Sequence, residues 1–143
     1  MRFYCSDDTV DLEQYPYHVR DVHISDPFIL ADPKSRCYYT YVQFADTKRF
    51  PDVETDNGVF YVLESKDLIH WSKPQICFRQ NNFWADKDYW APEVHIWKGR
   101  YYLFSSFRAN GHYRKCQCLV SDSPKGPFEP IRQEAVTPDG WQS

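Results

Sequence analysis

Asp26–Val42, DPFILADPKSRCYYTYV, and Ala91–Ser106, APEVHIWKGRYYLFSS, read as two versions of one pattern. Each sets a carboxylate beside a proline, follows it with an apolar burst and a tight turn (DPKSR in one, KGR in the other), and resumes at a tyrosine pair. Tyr38-Tyr39 maps onto Tyr101-Tyr102, and Asp26 and Glu93 fall at similar points of the two copies. The stretches that follow match again: GVFYVLESKDLIHWSKP from Gly58 resembles CQCLVSDSPKGPFEPI from Cys116, with Ser65 answering Ser121 and Trp71 answering Phe128. Features that return in the same order mark one supersecondary unit used twice. Four short strands closed by a serine turn and an aromatic residue make the anatomy of a β-propeller blade. Blade one is expected at about 21–80 and blade two at about 88–143. Two blades leave edge strands and apolar faces uncovered, so further chain or self-association is expected to hide them.

Outward from this pair, the whole chain reads as all-β. Apolar residues come in short bursts broken by Pro, Gly, Asp and Asn, and no stretch carries the period of a long amphipathic helix. Strands are expected at Pro27–Ala31, Cys37–Phe44, Val59–Ser65, Gln75–Phe78, Glu93–Lys98, Arg100–Phe107, Lys115–Ser121 and Phe128–Arg132. ETDNG, SKDLIHW, RANGH and SDSPKG carry the turn residues between them, and Arg79–Tyr89 is read as the longest connection.

The composition narrows the function. Among 143 residues, 17 basic and 20 acidic side chains give a formal net charge of -3, with neither sign gathered into a block. That balance argues against a nucleic-acid or membrane-surface partner. Aromatic residues make up 18% of the chain, which suits pleated strands and flat ligands such as sugar rings. The N-terminal MRFYCSDDTV lacks the apolar stretch of a signal peptide, and five cysteines (Cys5, Cys37, Cys77, Cys116, Cys118) cannot all pair with one another. A cytoplasmic location is the expectation from both. Cys116 and Cys118 share a strand face near His112, but no second Cys/His cluster accompanies them, so no metal site is expected there.

Three motifs together resemble glycoside hydrolase family 43, the five-bladed β-propeller enzymes that include arabinofuranosidases, β-xylosidases and endo-arabinanases. HISDPFILAD at His23–Asp32 is similar to the family's first-blade motif, DYWAPEVHIWKGRYYLFSS at Asp88–Ser106 to its second-blade WAP-acid-V motif, and LVSDSPKGPFEPI at Leu119–Ile131 to the strand and turn that close a blade. The resemblance implies Asp26 as general base and Glu93 as the carboxylate that tunes and orients the general acid. The family commonly has Asp where this chain has Glu93, one methylene longer. Its general acid, a Glu on the third blade, is expected beyond Ser143, which would leave the chain truncated and inactive alone. Some members hold a cation in the propeller channel, but no ligand set for one is assignable in this sequence, and no cofactor is expected.

The chemistry explains the residue types. An inverting glycosidase needs one carboxylate to activate water and one carboxylic acid to protonate the leaving oxygen, about 6.5–9.5 Å apart. A third carboxylate beside the acid keeps it protonated by like-charge repulsion. Hydrolysis of arabinose- or xylose-containing oligo- or polysaccharides is the implied activity; a non-catalytic, lectin-like propeller module is the alternative. Trp90 and Trp84 bracket the approach to Glu93 and could stack on a sugar, although Trp is equally suited to packing between blades. His95, two residues past Glu93 on the same strand face, is the weakest substrate-binding candidate.

Overall fold

The computed structural model describes residues 9–43, 50, 53 and 58–138. Among the described residues ten strands follow one another: β1 (Tyr17–His18), β2 (Ile29–Asp32), β3 (Cys37–Val42), β4 (Val59–Ser65), β5 (His70–Trp71), β6 (Gln75–Arg79), β7 (Lys87–Trp97), β8 (Arg100–Arg108), β9 (Lys115–Ser121) and β10 (Glu129–Pro130). A 3-10 turn at Val19–Asp21 is the one helical element among the described residues. All pairings are antiparallel. The first sheet runs β1-β5-β4-β3-β2, with β6 alongside β4, and the second runs β10-β9-β8-β7.

The repeat is visible in the register. Tyr38 stands opposite Ser65 in the first sheet, and Tyr101 stands opposite Ser121 in the second. The same register sets Glu93 opposite Phe104, a level that in the first sheet corresponds to Phe28, just before the first paired residue Ile29. Asp26 therefore lies two residues short of Glu93's level, a refinement of the similar positions read from sequence.

Strand β8 shows why these residues pair this way: Tyr101, Leu103, Ser105 and Phe107 are buried on one face and alternate with more exposed residues. That face packs on Tyr39, Tyr41, Phe60 and Val62 of the first sheet to form one continuous core. Phe107 is its centre, with ring centroids 5.0 Å from Phe83, 4.8 Å from Tyr89 and 5.8 Å from Phe60. Burying a side chain of this size contributes about 2–3 kcal/mol. The opposite face of the first sheet, with Val42, Val59, Tyr61, Leu63 and Trp71, is covered by Tyr17, Val22, Ile24 and Phe50. On the second sheet, by contrast, the face of Trp97 and Phe104 is exposed.

Polar contacts lock the sheets together. The Tyr41 hydroxyl donates to the Pro124 carbonyl (2.8 Å), the Phe128 N–H to the Cys77 carbonyl (2.8 Å), and the Tyr101 hydroxyl to Asp32 Oδ1 (2.9 Å). Lys125 Nζ reaches Glu64 Oε2 at 2.6 Å, and the Tyr15 hydroxyl donates to Glu64 Oε1 at 2.5 Å. Burial alone would raise the Asp32 carboxyl, but hydrogen bonds from Ser35, Tyr101 and Lys34 outweigh it and hold it below the usual range. Burial and the Asp32 carboxylate push the Tyr101 hydroxyl up to about 12.

Three features depart from the sequence reading. Strand β7 begins at Lys87, ahead of the expected Glu93, because two irregularities let the segment stay paired with β8. The pair β1–β5 was not anticipated, since two-residue strands held by a non-local partner carry no periodic signal. Arg79–Tyr89, expected as one connection, is shorter: Arg79 ends β6, and Lys87–Tyr89 already belong to β7. The expected strand end at Phe44, most of the ETDNG turn and Cys5 lie outside the described residues.

Candidate active site

Strands β2 and β7 lie side by side where the two sheets meet, and each of the two motifs is built at the start of one of them. Asp26 has left-handed backbone (φ 48) and is exposed, and Pro27 then leads the chain toward β2. Asp is among the few residues that tolerate this conformation.

Glu93 sits within β7, whose register against β8 shifts between Lys87 and Trp90 and again between Trp90 and Glu93. Asp88 (φ 53) and Ala91 (φ 51) occupy these irregularities. Left-handed backbone costs a residue with a Cβ about 1–2 kcal/mol, so three contacts that hold the segment matter. Gln43 Oε1 accepts from the Ala91 N–H (3.1 Å), the Ser105 hydroxyl donates to the Trp90 carbonyl (2.6 Å), and Arg114 donates through Nη1 to the Asp88 carbonyl (2.8 Å). Bulges of this kind re-aim side chains beside functional sites.

The re-aimed side chains form a surface cluster. Glu93 and His95 are both about half exposed, with His95 Nε2 3.6 Å from Glu93 Oε1. The His95 ring packs on Phe28 (centroids 5.6 Å apart) and on Phe104 (6.1 Å). Phe28 is two residues past Asp26, so a single imidazole touches both motifs.

Trp90 and Trp84 have different surroundings. Trp90 is 49% exposed, and the guanidinium of Arg114 lies 3.6 Å from its ring centroid, covering one indole face. Trp84 is half buried, its ring tilted against Phe83 and edge-on to Phe107 and its Nε1–H donated to Gln117 Oε1 (3.2 Å), as suits a packing residue. Among the described residues no group of three or more His, Cys, Asp or Glu is close enough to hold a metal ion.

Arg114, Gln43, Ser105 and Phe28 escaped the sequence reading. Phe28 lay inside the quoted motif, but Gln43 and Arg114 reach the site only through the pairing of β7 with β8 and its packing against β3, and neither has a local signature.

These features define a partial β-propeller whose adjoining inner strands present two carboxylates and an aromatic surface at one edge. The model of glycosyl hydrolases family 43 matches residues 18–142, and the chain belongs to that family. A curated relative, xylosidase/arabinosidase 43A of Humicola insolens, is 30% identical over 121 residues, covering 81% of this chain and 30% of its own length. The solved endo-arabinase of Bacteroides thetaiotaomicron superposes with a TM-score of 0.77 at 39% identity, covering 89% of this chain and 41% of that one. A thermostable family-43 glycoside hydrolase superposes with a TM-score of 0.65 at 29% identity, over 82% of this chain and 34% of that one. The chain thus spans less than half the length of these relatives.

Proposed function

We propose that this chain supplies the first two blades, near 21–80 and 88–143, of a glycoside hydrolase that opens arabinofuranosyl or xylosyl bonds with inversion. The observation that carries the proposal is the meeting of the two motifs: Phe28, beside Asp26, and Glu93 share contact with His95. Asp26, exposed at the edge of β2, takes a proton from the attacking water as general base. Glu93 stands beside the general acid, raises its pKa by like-charge repulsion and orients it. No residue of this chain is assigned as that acid, which the proposal places on a further blade. The exposed face of Trp97 and Phe104 is the surface on which such a blade, or another copy of the chain, would pack. Trp90 offers its indole to the sugar ring.

The relatives' names support the substrate class: one is a xylosidase/arabinosidase and another an endo-arabinase. The test is turnover of aryl arabinofuranoside, aryl xyloside and linear arabinan by the protein encoded by the longest open frame through this sequence, beside its Asp26→Asn variant. Turnover that falls by about 100-fold or more in the variant supports the reading. Sugar binding without turnover would replace it with the lectin-like module, and turnover indifferent to Asp26→Asn would remove Asp26 from the mechanism.

A further inference from the structure

Arg114 is unusual for a surface-loop arginine because it is four-fifths buried and meets three groups of one strand and its neighbour. Its Nη1 donates to the Asp88 carbonyl (2.8 Å) and to Ser106 Oγ (3.1 Å), its Nη2 lies 3.7 Å from Asp88 Oδ2, and its plane lies against the Trp90 ring. Arg108 Nη1 approaches the same Asp88 carboxylate oxygen at 3.6 Å. Asp88 and Ala91, the two left-handed residues of β7, flank Trp90, so the direction of the indole depends on how the bulges are held. A planar guanidinium can stack on an indole while donating in its own plane; the point charge of a lysine cannot do both.

From this geometry we propose that Arg114 is a positioning residue of the sugar subsite, covering one face of Trp90 so that the other alone meets a sugar ring. The inference rests on the sugar-site reading given above. It makes the subsite a one-sided platform: a single furanose or pyranose ring stacks on the free indole face, and no second ring intercalates behind it.

The test is a double-mutant cycle in the full protein, read as the dissociation constants of xylotriose and arabinotriose by calorimetry, with thermal melting as the control for folding. Arg114→Lys is expected to weaken the better-bound trisaccharide roughly fivefold, the scale of a lost cation–π stack, and to shift the Trp90 indole N–H resonance. In a Trp90→Ala background the same change is expected to have no effect on binding, because its target is gone. If Arg114→Lys proves too unstable to assay, Ser106→Ala removes one anchor of the guanidinium and enters the same cycle. Unchanged affinity in the single variant, or an equal loss with and without Trp90, would overturn the positioning role and leave the sugar site standing. Failure of the unaltered protein to bind either trisaccharide would overturn both.

Discussion

His95 Nε2 lies 3.6 Å from Glu93 Oε1 while the same imidazole packs on Phe28, so one side chain couples the inner edges of the two sheets at the candidate site. Both partners are about half exposed, and an exposed polar pair of this kind contributes less than about 1 kcal/mol to stability. The pair can therefore be altered for its effect on chemistry without much effect on folding.

Replacing His95 by Phe keeps a ring against Phe28 but removes the nitrogen that faces Glu93. The expected outcome is a melting temperature within a few degrees of the unaltered protein and a kcat on aryl glycoside lowered about tenfold. Steady-state kinetics beside a melting curve checks both, and an unchanged kcat would remove His95 from the site.

Glu64 is buried between Tyr15 and Lys125. Burial by itself would raise its carboxyl, but the hydrogen bonds from Lys125 and Tyr15 outweigh it and hold the group below its ordinary value of 4.5. A depressed folded-state value means the contribution is fully present above about pH 4.5 and is lost as pH falls through the lower, folded-state value. Glu64→Gln is expected to lower stability at pH 7 by about 1–2 kcal/mol, discounted because Lys125 is partly exposed. It should also flatten the loss of stability as pH falls below about 4.5, which urea unfolding at successively lower pH would measure.

Gly126 has φ 78, and a Cβ there would lie 2.3 Å from the Cys77 carbonyl oxygen, the acceptor of the Phe128 N–H. The atom in the way is backbone and cannot swing aside. Gly126→Ala should therefore cost about 2 kcal/mol or more by pushing the second sheet's closing turn off β6. Chemical denaturation supplies the number, and a cost near zero would mean that the turn moves freely against the first sheet.

Phe107 is fully buried against residues from both sheets. Truncation to Ala is expected to cost about 3–5 kcal/mol, while Phe107→Leu, which keeps most of the volume, should cost markedly less. The two variants compared by thermal unfolding separate the loss of packing from the loss of the ring.

The amino-acid order by itself determined the all-β class, the doubled unit and the main strands, because alternation, turn residues and motif spacing are written within a few neighbouring positions. The equivalences read from the repeat, Tyr38 with Tyr101 and Ser65 with Ser121, return as one matching register, Tyr38 opposite Ser65 and Tyr101 opposite Ser121. Tertiary structure alone decided that β7 would be bulged at Asp88 and Ala91, that Trp84 would turn into the aromatic core while Trp90 stayed at the surface, and that Gln43 and Arg114 would hold the site. These outcomes depend on which strands come to lie beside β7. A bulge is stable only when distant groups satisfy the backbone it exposes, so no local stretch of sequence encodes it.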